Sequence, residues 1–303
     1  MLEIGLYGLG RMGGNMARRL SRGGARVAAY NREAEVSAKI AAEEANVVAC
    51  ASLAELVATL APPRVVWLML PAGAVTETAM AELATLLAPG DMIVDGANGY
   101  YRDSQRHGTE LAGKGLAFAD VGVSGGIWGL DNGYCVMAGA APEAMARIEP
   151  FLKLLAPSPD NGWLHAGPVG SGHFVKMVHN GIEYGMMQAF AEGFALLQAK
   201  TEFDLDLANI AELWRHSSVV RSWLLDLTAD FLKDGQSLGA IEPFVADSGE
   251  GRWTALESIE QGVPTPVMTL ALMSRFDSQG KADFGNKMLA MMRKGFGGHA
   301  VKG

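Results

Sequence analysis

The residues whose types and spacing could do chemistry are Lys176, His179, Asn180, Glu183 and Tyr184. They recur at intervals of three, four and seven positions, and at about 100° per residue those intervals put them on one side of a helix. An amine, an imidazole, an amide, a carboxylate and a phenol then share one face. A lysine desolvated among apolar neighbours loses proton affinity and can serve as a general base, and a carboxyl in the same crevice can keep its proton and donate it. The plainer alternative is a lysine–glutamate ion pair on a solvated stripe. Composition argues against that alternative, because a solvated stripe carries interchangeable charges, whereas these unlike polar groups sit in greasy surroundings.

The element that must carry them is a long helix from about Gly170 to Lys200. Small and apolar residues dominate from Phe174 to Gln198 and no proline interrupts them, which is the pattern of a buried helix rather than a strand. A second positioning element lies at the N-terminus. Leu2 to Tyr7 reads as an apolar strand, followed by Gly8-Leu9-Gly10-Arg11-Met12-Gly13 and a helical pattern from Asn15 to Ser21. In G-x-G-x-x-G the first glycine permits the tight turn, the second lets the backbone approach a pyrophosphate, and the third lets helix and strand pack closely. Helix N-terminal amides then face the phosphates. A second strand, Ala25 to Tyr30, follows at βαβ distance and ends in Asn31-Arg32-Glu33. The end of that strand faces the adenine ribose, where an acidic residue favours NAD and an arginine accommodates the 2′-phosphate of NADP. Arg32 with Asn31 favours NADP, while Glu33 leaves NAD as the alternative.

The rest of the first half repeats a buried strand ending in a loop of small residues. Val65 to Leu70 leads into Pro71-Ala72-Gly73, Met92 to Asp95 into Gly96-Ala97-Asn98, and Leu116 to Val121 into Gly122-Val-Ser124-Gly125-Gly126. In a parallel sheet such loops open at the carboxyl edge, where ligands of open α/β folds bind. Asp131-Asn-Gly133 before Tyr134 to Ala138 reads as a hairpin that extends the sheet. Pro142 starts a helix to about Leu155, and the Pro- and Gly-containing stretch Pro157 to Gly170 reads as the domain boundary. The expected architecture is an α/β Rossmann-type N-terminal domain with a mostly parallel sheet, residues 1–168, followed by an all-α C-terminal domain built on the long central helix, residues 169–303. Helical spacing recurs in Leu205–His216, Val219–Lys233, Arg252–Gln261, Pro266–Arg275 and Ala282–Lys294.

Length and charge bound the function. The 303 residues, 49% of them hydrophobic, are enough for two packed cores. A net charge of −8 without a Lys/Arg block gives no electrostatic footprint for nucleic acid or an anionic membrane. Cys50 and Cys135 stand alone in apolar segments, the usage of a reducing compartment, so a cytoplasmic location is expected. The start Met1-Leu-Glu-Ile-Gly-Leu6 has no basic region or cleavable apolar stretch, so no signal peptide is expected. No metal is expected either.

With these residues assembled, the chain resembles the 6-phosphogluconate dehydrogenases, the decarboxylating family within the β-hydroxyacid dehydrogenases, over essentially its whole length. The matching segments are Gly8–Gly13 with Asn31-Arg32, Asp95-Gly-Ala-Asn98, Ser124-Gly125-Gly126 and Gly172-His-Phe-Val-Lys-Met-Val-His-Asn-Gly-Ile-Glu-Tyr184. The resemblance implies Lys176 as base and Glu183 as acid. It implies cofactor contacts from Gly8 to Gly13, Asn31 to Glu33, Leu70 to Ala72 and Asn98. It further implies substrate contacts from Asn98, Ser124, Gly125, Gly126, His179, Asn180, Tyr184, Arg275, Arg293 and His299. The tail carrying Arg293 and His299 would enter a neighbouring subunit's site, which makes a homodimer or homotetramer necessary. The implied reaction removes hydride and a proton from C3 of a phosphorylated sugar acid, releases carbon dioxide, and reprotonates the enediol at C1. Two departures stand out. The loop Asp247-Ser-Gly-Glu-Gly-Arg-Trp253 lacks the lysine that holds the substrate phosphate in the long form of the family, and Ile127 replaces a glutamate. The chain looks like the short bacterial form. The alternatives are another β-hydroxyacid dehydrogenase, such as one acting on 3-hydroxyisobutyrate, or a catalytically silent NADP-binding protein.

Overall fold

The structure, a computed structural model, describes residues 2–297, 300 and 301. It divides into two compact units, Met1–Met177 and Val178–Gly303. The first is built on one sheet of eight strands: β1 (Glu3–Tyr7), β2 (Arg26–Tyr30), β3 (Val47–Cys50), β4 (Val65–Leu68), β5 (Met92–Asp95), β6 (Ala117–Ser124), β7 (Cys135–Ala140) and β8 (Trp163–Gly167). Their order is β3-β2-β1-β4-β5-β6-β7-β8. All neighbours pair in parallel except β6 and β7. Strand order reverses between β1 and β4, so their carboxyl ends open the crevice in which doubly wound sheets bind ligands.

Helices α1 (Arg11–Arg22), α2 (Ala34–Glu43), α3 (Leu53–Thr59), α4 (Ala74–Leu86), α5 (Tyr101–Ala112), α6 (Gly129–Asn132) and α7 (Pro142–Leu155) connect the strands. Side chains of a strand alternate between faces, and here each face has its own core. Val65 and Trp67 of β4 join Met16 and Leu20 of α1 and Ile148 and Leu152 of α7. Val66 and Leu68 join Leu56 of α3, Leu83 of α4 and Leu111 of α5. Burial on both faces explains why these strands read as continuous apolar runs.

Two readings of the sequence need correction here. The stretch from Pro157 to Gly170 contains a strand, β8, which pairs with β7 from Val136 opposite Trp163. Its residues show no apolar alternation: Leu164 is 62% exposed, while Trp163 packs on the core and His165 Nε2 lies 2.9 Å from the Ala140 carbonyl, so main-chain pairing and these two side chains hold it at the sheet edge. The hairpin at Asp131 to Gly133 does extend the sheet, but its connection is not a simple turn. Although β6 and β7 do pair in antiparallel fashion, Asp131 and Asn132 lie in α6, and Gly133, at φ 80°, ends that helix.

Helix α8 (Ser171–Ala199) continues through the division between the units. Among the described residues of the second unit, every regular element is helical: the remainder of α8, a single 3-10 turn, α9 (Leu207–Trp214), α10 (Trp223–Asp234), α11 (Glu250–Gln261), α12 (Pro266–Ser278) and α13 (Asp283–Gly297). Phe194 of α8 packs with Leu207 and Ala211 of α9 and Leu225 and Leu232 of α10. Tyr184 packs with Ala271 and Leu272 of α12. No helix among the described residues is long and apolar enough to cross a membrane.

Candidate active site

The glycine loop between β1 and α1 has the form a dinucleotide requires. Gly8 takes φ 98°, a left-handed conformation, and Gly13 comes so close that an added Cβ would stand 2.0 Å from the Gly8 carbonyl oxygen. At Gly10 an added Cβ would meet nothing within 4 Å, and this residue begins α1 without a capping side chain. The opening amides of α1 are thus without a local side-chain acceptor, on a backbone that an anion can approach closely, which fits a pyrophosphate. Arg11 is exposed beside them, whereas Leu9 is buried and Met12 packs on the core.

At the end of β2 the Asn31 side chain does work that its sequence position did not reveal. Its Oδ1 accepts from the Leu9 amide at 2.9 Å, which ties the glycine loop to β2, and its Nδ2 donates to Glu33 at 2.8 Å. Arg32 is exposed and lies 3.2 Å from Glu33. The Glu33 carboxyl is held below its ordinary value by its own backbone amide and by Arg32. Leu70 is half-buried after β4, with Pro71 and Ala72 exposed beyond it.

The loops after β5 and β6 are fixed from beneath. Asp95, buried, accepts from the Ala97 amide at 3.0 Å and shapes the turn that leaves Asn98 exposed. Ser124 and Gly125 are half-buried and Gly126 is exposed. Asn15 of α1 donates to the Ile127 carbonyl at 3.1 Å, so the loop that follows β6 is joined to the dinucleotide helix.

Lys176 belongs to the same unit as these loops. It is 8% exposed and crosses β6 at Gly122, where a Cβ would stand 2.4 Å from the lysine Cβ. Its charge also reaches Cys135, whose thiol burial pushes up and Lys176 pulls down. Further along α8, Asn180 is buried and His179 Nδ1 stands 2.9 Å from its Oδ1 and 3.9 Å from Glu183 Oε2. Tyr184 is buried, and its hydroxyl lies 3.1 Å from Ser248 Oγ and 3.4 Å from Asp247 Oδ1. Arg275 stacks on the Tyr184 ring at 3.5 Å and donates to the Ala246 carbonyl at 2.6 Å.

The compressed loop is therefore pinned to Tyr184 and α12, and Asp247 is further paired with Arg252. Asp247, Ser248 and Arg252 were not singled out by sequence, where this loop showed only a missing lysine. Asp120, His173 and Ser104 were not singled out either, although a lone acid in the apolar run Ala117–Ser124 is a readable signal. Arg293 is exposed on α13, and His299 lies outside the described residues. Among the described residues no cluster of His, Cys, Asp or Glu could hold a metal ion.

Comparison with known proteins accords with this geometry. Residues 3–164 match the NAD binding domain of 6-phosphogluconate dehydrogenase, and residues 172–295 match the C-terminal domain of that enzyme. An NAD-dependent, decarboxylating 6-phosphogluconate dehydrogenase of Haloferax volcanii is 38% identical over 99% of this chain and 98% of its own length. An NADP-dependent one of Bacillus subtilis is 35% identical, over 93% of this chain and 62% of its own. The Plasmodium falciparum 6-phosphogluconate dehydrogenase, solved in its apo form and with NADP or 6-phosphogluconate, superposes with a TM-score of 0.84 at 30% identity, over 97% of this chain and 65% of its own. The chain thus matches a relative of its own size end to end and spans under two thirds of the longer ones. A glycine loop shaped for a nicotinamide dinucleotide and a helix bearing Lys176 and Glu183, in a chain matched along both halves, show that it belongs to the 6-phosphogluconate dehydrogenase family of decarboxylating, NAD- or NADP-dependent oxidoreductases.

Proposed function

We propose that the chain converts 6-phosphogluconate to ribulose 5-phosphate and carbon dioxide while reducing NADP or NAD. The observation that carries this reading is Lys176, an amine buried against β6 in the unit that also holds the dinucleotide loop. When bound, the nicotinamide supplies the hydride acceptor. Lys176 takes the proton of the C3 hydroxyl as the C3 hydride leaves, giving a 3-keto acid, and returns that proton to the C3 oxygen as the carboxylate departs as carbon dioxide. Glu183 then protonates C1 of the remaining enediol, and His179, whose Nδ1 stands 2.9 Å from Asn180 Oδ1, is assigned with Asn180 to the substrate's oxygens.

Asn98, Ser124, Gly125, Gly126 and Asn180 are assigned to the substrate's hydroxyl and carboxylate oxygens. With no lysine in the 247–253 loop, Arg275, Tyr184, Ser124 and Arg293 are assigned to its phosphate. Arg275 suits that role because stacking and a carbonyl bond fix the plane of its guanidinium. Arg293, with His299, is assigned to the site of a second copy of the chain. The exposed Phe284, Met288, Leu289 and Met292 of the same helix are apolar surface that such an assembly would cover. Residues 1–168 serve the cofactor and lend Asn98, Ser124, Gly125 and Gly126 to the substrate, and 169–303 serve the substrate and oligomerisation. Two free thiols accord with a cytoplasmic location.

The test is to mix purified protein with 6-phosphogluconate and either NADP or NAD, and to follow reduced nicotinamide and carbon dioxide together. Equal amounts of both products are expected. Reduced nicotinamide without carbon dioxide would instead favour a simple β-hydroxyacid dehydrogenase.

A further inference from the structure

Asp120 lies in the middle of β6, fully buried between Ala119 and Val121 in sequence. A carboxylate in such a place is costly unless its oxygens are satisfied. Both are. Oδ1 accepts from the Gly170 amide at 2.6 Å and Oδ2 from the His173 amide at 2.7 Å. These amides belong to the entry and first turn of α8, where N–H groups have no acceptor within the helix. Asp120 therefore does from the sheet what a capping side chain does locally, and it places a negative charge at the positive end of the helix.

Lys176 follows His173 by three residues, just under one turn of helix. The same seat is keyed by shape. Gly122, two residues after Asp120 and so on the same face of β6, leaves room for Lys176. A Cβ on Gly172 would stand 2.4 Å from the Asp120 carbonyl oxygen and 2.6 Å from that of Met137. On the ring side, Ser104 Oγ lies 2.8 Å from His173 Nδ1, and both residues are 1% exposed. Being closed off from solvent, Asp120, Ser104 and His173 act on the reaction only through what they hold.

We propose that Asp120 is the positioning residue for the lysine base: by tying the first turn of α8 to β6 it sets where the Lys176 amine stands. The proposal rests on Lys176 being that base. Burial pushes the Asp120 carboxyl up, while His173 and the two amides oppose it.

Asp120→Asn keeps the shape but turns one acceptor into a donor, leaving one of the two amides without its partner. The expected result is a fall in kcat of about 100-fold, the scale of a misplacement of roughly 1 Å. The KM for 6-phosphogluconate and the cofactor Kd, read by calorimetry, should stay as in the wild type. A wild-type kcat, or an effect confined to KM or Kd, overturns the proposal. If Asp120→Asn fails to fold, as read by circular dichroism, Ser104→Ala loosens the same turn from its other side. It should lower kcat by about tenfold with binding intact, and a wild-type kcat in that variant is equally fatal. Lys176→Met run in parallel separates the two readings. Turnover in Lys176→Met removes the base itself, whereas an inactive Lys176→Met beside a fully active Asp120→Asn removes only the positioning role.

Discussion

Lys176 and Glu183 stand seven residues apart on one helix, and their proposed tasks are separable by measurement. Proton transfer by a placed side chain is typically worth about 100- to 10,000-fold in rate. Lys176→Met should therefore reduce NADPH or NADH formation by at least the lower figure, read as single-turnover absorbance. Glu183→Gln should leave the first hydride transfer near the wild-type rate and slow the release of ribulose 5-phosphate. Cofactor choice is argued at the same scale. Arg32 is the exposed cation at the end of β2, and Glu33 beside it neutralises part of its charge. Arg32→Ala should weaken NADP by about tenfold, on the order of one charge-assisted contact, and leave NAD unchanged when the two are compared by calorimetry. The residues assigned to the chemistry stand out in the sequence because their types are unusual for their surroundings. Asp120, Ser104 and His173 were harder to read because their partners are backbone amides or residues about fifty to seventy positions away, and no local pattern announces such a contact.

Among the elements, α1 has no capping side chain at its start but is anchored from its flank. Arg19 donates to the carbonyls of Leu130, Leu154, Leu155 and Ala156, the last groups of α6 and α7, which have no acceptor role left within their own helices. A cation at those helix ends also suits their negative poles. Arg19→Met should cost about 2–4 kcal/mol, since hydrogen bonds to a charged group are worth about 1.5–3 kcal/mol and the Leu130, Leu154 and Ala156 carbonyls would lose this donor, while that of Leu155 keeps the Tyr134 amide. Thermal melting with and without cofactor would show it. The long helix, α7 and the doubly buried strands were readable from periodicity and length. Strand β8 was not, because only Trp163 of its side chains packs on the core and its pairing is carried mainly by the main chain, to which residue type is blind. The antiparallel extension of the sheet was readable, but the form of its turn was not. Asp-Asn-Gly suits a tight turn and equally the end of a helix, and the long β6–β7 connection decided between them.

For the molecule as a whole, carboxylates paired in each unit set the response to acid. Burial alone would push the Asp91 carboxyl up, but the amides of Arg64 and Ala88 and the Arg64 guanidinium outweigh it, and it sits below its ordinary value of 3.8. Glu212, facing Lys233, His216 and Arg215, is held down to about 2. A carboxyl lowered in the folded state stabilises fully above its unfolded value, and that contribution is lost as pH falls through the folded one. Melting temperature should thus drop as pH falls below about 4, the ordinary carboxylate range, and Asp91→Asn should flatten that fall. Asp120, raised by burial, works in the opposite sense. Assembly can be tested at this scale too. If the tail of one copy serves another, mixing inactive Lys176→Met with inactive Arg293→Ala subunits should restore part of the activity, whereas either alone stays silent.

The unbroken 29-residue course of α8 makes it a phase lock. Each residue added to an α-helix rotates everything beyond it by about 100° and advances it by about 1.5 Å. One extra residue between Lys176 and His179 would swing Glu183 away from the azimuth of Lys176 while leaving every side chain present, so the chemistry tolerates changes of type in that interval far better than changes of count.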